Sequence, residues 1–150
     1  MNDLDYMNIA LQEARQAAME NEVPVGAVLV MDDEIVAQDH NRMVQRKNAL
    51  SHAEILTLQN ALQSKPVKWL MGSTLFVTLE PCAMCAGALV VARVKRLVFA
   101  TPDPKAGACG STMDLVRTSH LNHRLEVQSG VLREEASSLL TGFFQKLRER

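Results

Sequence analysis

Hydrophobic and polar positions along this chain follow two different periods, and the changes of period mark its elements. Over residues 4–20, Met7, Ala10, Leu11, Ala14, Ala17 and Ala18 recur at helical spacing, which predicts a helix with one apolar face. Pro24-Val25-Gly26-Ala27-Val28-Leu29-Val30 is a short, unbroken apolar run and predicts a buried strand. Asp32-Asp33 supplies a turn, and Glu34 to Asp39 reads as the returning strand of a hairpin. Residues 40–50 are polar and predict a loop.

Helical spacing returns with Ile55, Leu58 and Leu62. Ser51 and Glu54 form an S-x-x-E capping-box pattern ahead of them, which predicts a second helix beginning at Ser51. Thr74 to Leu79 reads as a strand, and Pro81 suits the first turn of a helix running through Val91. Arg96 to Ala100 is another strand. Residues 101–111 hold two prolines and two glycines and predict a shaped loop. Arg124 to Gln128 reads as a last strand. Leu132, Ala136, Leu139, Leu140, Phe143 and Leu147 share one face of a closing helix over 131–147. Strands alternating with helices predict an α/β layered domain with a mainly parallel sheet behind the hairpin.

Composition narrows this picture. With 150 residues, 47% hydrophobic and 22% charged, the chain suits one compact globular domain over residues 1–150. No apolar run reaches the roughly 20 residues of a membrane span. Met1-Asn2-Asp3-Leu4-Asp5 is acidic and has no apolar signal core, so a cytoplasmic protein is expected. Three cysteines make no disulfide framework. A formal net charge of −1 argues mildly against a dedicated nucleic-acid binder. Local basic groups at Arg42, Arg46 and Lys47, at Arg93, Lys95 and Arg96, and over Lys146 to Arg150 soften that argument, although each also reads as solvated surface charge.

Two motifs carry chemistry, and both fall at predicted helix starts, where α/β sheets gather their sites. The first is His52-Ala53-Glu54 and the second Pro81-Cys82-Ala83-Met84-Cys85. Cys82 and Cys85, three apart on a helix, face the same side. A helix N-terminus favours negative charge and lowers thiol pKa values, which suits two zinc thiolates. His52 can supply a third ligand, leaving a fourth tetrahedral position for water as in catalytic zinc sites. Glu54 lies close to such a metal without needing to bind it, and can accept and return a proton. Taken singly, these motifs have plainer readings. The C-x-x-C could be a redox pair or half of a structural zinc site, His52 a surface or capping residue, and Glu54 a partner of Ser51. Their conjunction, H-x-E followed by P-C-x-x-C, is the known signature of zinc-dependent nucleobase deaminases.

The chain resembles the bacterial tRNA-specific adenosine deaminases, of the cytidine deaminase-like superfamily, over nearly its whole length. The resemblance runs through Glu22 to Val28, Asn41-Arg42, His52 to Glu54, Thr78 to Ala88, Asp103 to Gly107, Gly110-Ser111, Asn122 to Arg124 and Phe143-Phe144. It implies a three-layer α/β/α sandwich around a central mixed five-stranded sheet, and a homodimer. It implies one zinc ion per subunit on His52, Cys82 and Cys85, with Glu54 shuttling protons. The implied reaction is hydrolytic deamination of the wobble adenosine to inosine by a zinc-activated hydroxide, with the tRNA anticodon stem-loop as partner. Asn41 would hydrogen-bond the target nucleotide, and Val25 and Ala53 would line the base pocket. Asp103 and Lys105 would contact the anticodon loop, Phe144 would shape the RNA groove and Arg148 would meet phosphate.

The chain departs from the family around the substrate mouth. Met43 stands where many members have Pro, and Asn48-Ala49-Leu50-Ser51 where many have Asp-Pro. The long basic tail of some members is not present after Arg150. Cys109 is expected to be a free buried thiol; its alternative, a fourth zinc ligand, would close the site. Two other functions remain open at this point. One is a deaminase of a free base or nucleoside such as guanine or cytosine, and the other a structural zinc or redox module.

Overall fold

The computed structural model describes residues 1–149. Among them are four helices and five strands, in the order α1 (Asp3–Met19), β1 (Gly26–Met31), β2 (Glu34–His40), α2 (Ala53–Ser64), β3 (Thr74–Leu79), α3 (Ala83–Val91), β4 (Arg96–Thr101), β5 (Glu126–Ser129) and α4 (Arg133–Arg148). Arg150, the last of the basic C-terminal group, lies outside the described residues.

The strands form one sheet in the order β2-β1-β3-β4-β5. Asp32 and Asp33 both take positive φ, 51° and 60°, the backbone of a tight hairpin turn whose twist matches its strands. The chain then crosses through α2 and returns on the far side of β1. As a result β3 pairs with β1 antiparallel, while β3–β4 and β4–β5 are parallel. Behind the hairpin β3, β4 and β5 are parallel, as expected, and the antiparallel junction of β1 with β3 joins them to it. The sheet is evenly mixed, as the family resemblance implies.

Alternation along the strands buries both faces of the sheet. Ala27, Leu29, Leu75, Val77, Leu97 and Phe99 point into the cluster beneath α2 and α3. Val28, Val30, Phe76, Val98 and Ala100 point the other way, onto Tyr6, Met7, Ala10 and Leu11 of α1 and Ala136 of α4. This is a three-layer α/β/α sandwich. Gly26 is where α1 comes closest to the sheet: a Cβ there would lie 2.0 Å from the Ala10 carbonyl oxygen. α1 itself starts with an Asn2–Asp5 capping box, the Asp5 N–H donating to Asn2 Oδ1 at 3.0 Å and the Asn2 N–H to Asp5 Oδ2 at 2.9 Å.

Two boundaries and one apolar face differ from the sequence reading. α2 begins at Ala53 with His52 as its N-cap, and no side chain caps it, so the Ser51–Glu54 capping box does not form. α3 begins at Ala83 with Cys82 as N-cap, which puts Pro81 just outside the helix rather than in its first turn. α4 buries only Ala136 fully; the rest of its predicted apolar face is half-buried, and Leu147 is exposed.

Candidate active site

The two motifs meet because two helices start at the same end of the sheet. β3 delivers the chain to Cys82, the loop after β2 delivers it to His52, and α2 and α3 pack side by side beneath the sheet. His52 and Cys82 are both N-caps in extended backbone, so their side chains stand in front of the helix ends. Cys85 lies one turn into α3. The His52 Nδ1 atom is 3.7 Å from Cys82 Sγ and 3.5 Å from Cys85 Sγ. Bond lengths of about 2.3 Å to sulfur and 2.0–2.1 Å to nitrogen give a tetrahedral zinc edge of about 3.5 Å between unlike donors. Both nitrogen–sulfur separations therefore match edges of such a site, and the three donors, all within 4.8 Å of one another, form a group able to hold a metal ion.

The electrostatics fit that donor set. Cys82 is pushed down to about 3, chiefly by a hydrogen bond with Cys85 and then by His52. Cys85 is pushed up by the same contact with Cys82 and by burial. His52 is raised, first by its hydrogen bond with Cys82. The pocket is thus a thiolate, a thiol and an imidazole sharing protons, which a divalent cation displaces on binding. Glu54, only 4% exposed, is pushed up to about 7, first by burial. A carboxyl poised near neutrality beside the ligands can take up and release a proton at small cost. Cys109 is buried and free, and stands apart from the metal group; burial pushes its thiol up.

The remaining predicted residues fall in two places. Asn41 is buried and bridges backbone: its Nδ2 donates to the Val23 carbonyl at 3.1 Å, and its Oδ1 accepts from the Ala53 N–H at 2.8 Å. One amide hydrogen is left over from these two bonds. Val25 and Ala53 lie in the same apolar cluster under α2. Asp103, Lys105, Phe144 and Arg148 come together on a separate groove of ≈ 660 Å³ at the ends of β3 and β4. Val23 and Leu79 line the same groove and connect it to Asn41 and to the strand leading into Cys82.

Sequence reasoning missed two buried carboxylates that hold the loops around this mouth. Glu22, with no exposed surface, accepts from the Val44 and Gln45 N–H groups at 3.0 and 2.8 Å. Glu80 does the same for residues 103–111. Its burial would raise its pKa, but these bonds and that from the Ser111 hydroxyl outweigh burial and lower it. Each lies inside a segment that carries the family resemblance, Glu22 to Val28 or Thr78 to Ala88, and that membership was the available signal.

Known proteins with this sequence pattern agree with the geometry. Residues 1–148 match the MafB19-like deaminase family. The tRNA-specific adenosine deaminase of Bacillus subtilis is 46% identical, the match covering 97% of this chain and 90% of that one. That of Haemophilus influenzae is 47% identical, covering 98% and 86%. A solved structure from work on A-to-I editing by tRNA:A34 deaminases superposes with a TM-score of 0.88 at 39% identity, covering 91% of this chain and 99% of the other. A guanine deaminase from Nitrosomonas europaea shares the fold, with a TM-score of 0.80 at 23% identity, covering 93% of this chain and 83% of the other. By sequence over almost all its length and by fold, the chain belongs to the family of bacterial tRNA-specific adenosine deaminases.

Proposed function

We propose that this protein hydrolytically deaminates adenosine to inosine at the wobble position of tRNA, in one deaminase domain over residues 1–150. The observation that carries the reading is the His52–Cys82–Cys85 group at tetrahedral spacing with buried Glu54 beside it. His52, Cys82 and Cys85 would hold one zinc ion per subunit, which would supply the Lewis acidity that brings the pKa of a water toward neutrality. Glu54 accepts a proton at its carboxylate and delivers it to the departing amine, so that ammonia leaves as a neutral molecule. Helix α2 fixes this geometry, since His52 is its N-cap and Glu54 its second residue.

Val25 and Ala53 form the apolar wall against which the adenine ring lies, and the free amide hydrogen of Asn41 reaches the target nucleotide. Asp103, Lys105, Phe144 and Arg148 take the flanking anticodon loop along the groove, with Phe144 as a stacking surface and Lys105 and Arg148 near phosphate. The base must leave its stack to reach the buried carboxylate, as in other enzymes that act on bases. The active form is a homodimer. An exposed apolar face supports this, formed by Trp69, Val91 and neighbours around a ≈ 320 Å³ groove between α2 and α3. A cytoplasmic setting is supported by a tRNA substrate, and among the described residues no helix is long and apolar enough to cross a membrane.

The test is incubation of zinc-loaded protein with tRNA bearing a wobble adenosine, read by sequencing, beside free adenine, guanine and cytosine with ammonia as readout. Inosine at the wobble position, with the free bases silent, is the expected result. Ammonia from a free base with unmodified tRNA would overturn the substrate.

A further inference from the structure

Glu80 belongs to neither the metal group nor the groove, yet its carboxylate is buried (2% exposed) and heavily engaged. It stands between Leu79, the last residue of β3, and Pro81-Cys82. Its Oε1 accepts from the Asp103 N–H at 3.0 Å and from the Ser111 hydroxyl at 2.5 Å. Its Oε2 accepts from the N–H groups of Cys109 and Ser111 at 3.0 and 3.1 Å. Both ends of the 102–111 loop therefore hang on one carboxylate. Gly107 closes the contact: a Cβ there would lie 2.3 Å from Glu80 Cδ. The Ala108 N–H also donates to the Pro81 carbonyl at 2.9 Å, so the loop rides on the strand exit that carries the metal ligand.

This grip continues into the groove. Asp103, held through its N–H, turns its own Oδ1 back to accept from the Lys105 and Ala106 N–H groups at 3.0 and 3.2 Å. That turn presents Asp103 and Lys105 to the groove wall. We propose that Glu80 is a positioning residue for the RNA substrate, locking the 102–111 loop to the Cys82 strand and so setting the distance from the groove to the reacting base. The inference rests on the tRNA reading above. It needs a carboxylate in particular, because four donors converge on two oxygens. A glutamine offers one oxygen and turns an NH2 group against N–H donors, leaving one end of the loop without an acceptor.

The test is steady-state kinetics of the full zinc-loaded protein on an anticodon stem-loop with a wobble adenosine. Four forms are compared: wild type, Glu80→Gln, Lys105→Ala and the double variant. Glu80→Gln is expected to raise KM on the order of tenfold, the lower end for losing a hydrogen bond to a charged group, with kcat and zinc content kept. Lys105→Ala is expected to raise KM in the wild-type background but to add less than about twofold in Glu80→Gln, because residues acting through one element are not additive. Full additivity, an unchanged KM, or zinc loss from folded Glu80→Gln would each overturn the proposal. Should Glu80→Gln not fold, Ser111→Ala removes one of the four bonds at an exposed position. It is then expected to show the same non-additivity with Lys105→Ala, and additivity there overturns the proposal equally. A wild-type protein inactive on the stem-loop overturns the tRNA reading itself, a result distinct from active protein with additive losses.

Discussion

Glu54 occupies the second position of α2, two residues beyond His52, and its carboxyl is buried beside the His52–Cys82–Cys85 group. His52 and not Ser51 caps the helix, so the carboxyl is not drawn back to Ser51; it is engaged by its own backbone N–H and by Cys85. Glu54→Gln keeps its volume and removes its proton exchange. It is expected to retain zinc, measured by elemental analysis, while kcat falls by at least about 10²-fold, the lower end for general acid–base catalysis. Cys82→Ser is expected to do the reverse at the metal: it loses the thiolate at the α3 N-cap, so zinc occupancy falls and the melting temperature with it. Full occupancy in that variant would remove Cys82 from the ligand set. These residues were legible in the sequence because metal chemistry restricts residue type and spacing together. Glu22 and Glu80 were not, since a buried carboxylate that collects backbone N–H groups looks in sequence like any surface glutamate. Asn41 was legible as a position, but its two backbone bonds depend on where β1 and α2 come together.

Between elements, contact is set by close approaches that hydrophobic periodicity does not report. Gly26 is one. A methyl group there would meet the Ala10 carbonyl oxygen and, at 2.6 Å, the Ala14 nitrogen, which are helix backbone and cannot rotate away. Gly26→Ala is expected to destabilise the fold by roughly 3 kcal/mol or more, the upper range for overpacking, as a fall in urea midpoint. A second contact is electrostatic. Buried His40, at the end of β2, lies between Glu13 of α1 at 2.7 Å and Glu20 at 2.9 Å, and Arg42 joins Asp39 at 2.8 Å. Glu20 is held down to about 2, first by its hydrogen bond from Gln45 and then by His40 and Gln16. A carboxyl lowered on folding stabilises the native state above its unfolded pKa of about 4.5, and that contribution disappears as pH falls toward 2. Over that window the wild type should lose more stability than Glu20→Gln, read as urea midpoints at several pH values. Parallel acid limbs would show that the clasp does not couple to folding. The elements themselves were legible: every predicted helix and strand is present. The errors lie at starts, where Ser51 and Pro81 fit general helix-start preferences, but the caps were taken by the two residues facing the metal position.

At the scale of the molecule, a net charge of −1 and an RNA substrate are compatible only if the charge is unevenly distributed. Lys105 and Arg148 share a groove with Phe144, while acidic Glu13, Glu20 and Asp39 are engaged with His40 and Arg42 and do not line that groove. The family resemblance assigned Lys105 and Arg148 to RNA, whereas charge and periodicity alone could not pair them, since the loop after β4 and helix α4 bring them together from more than 40 positions apart. The apolar face on α2 and α3 was illegible for a related reason. Val91 continues the apolar pattern of its helix yet is 72% exposed, and Trp69 stands 43% exposed with Lys68 4.7 Å from its ring. Large apolar side chains left together in water favour a partner. A second copy of this chain presenting the same face satisfies both at once under two-fold symmetry. A charge placed at its centre would then be desolvated without a counter-charge, and would be duplicated across the axis. If the proposed homodimer forms through this face, the wild type should sediment as a dimer and Val91→Glu as a monomer at the same concentration, while its exposed position spares the fold of the single chain. A Val91→Glu protein that stays dimeric would move the subunit contact to another face.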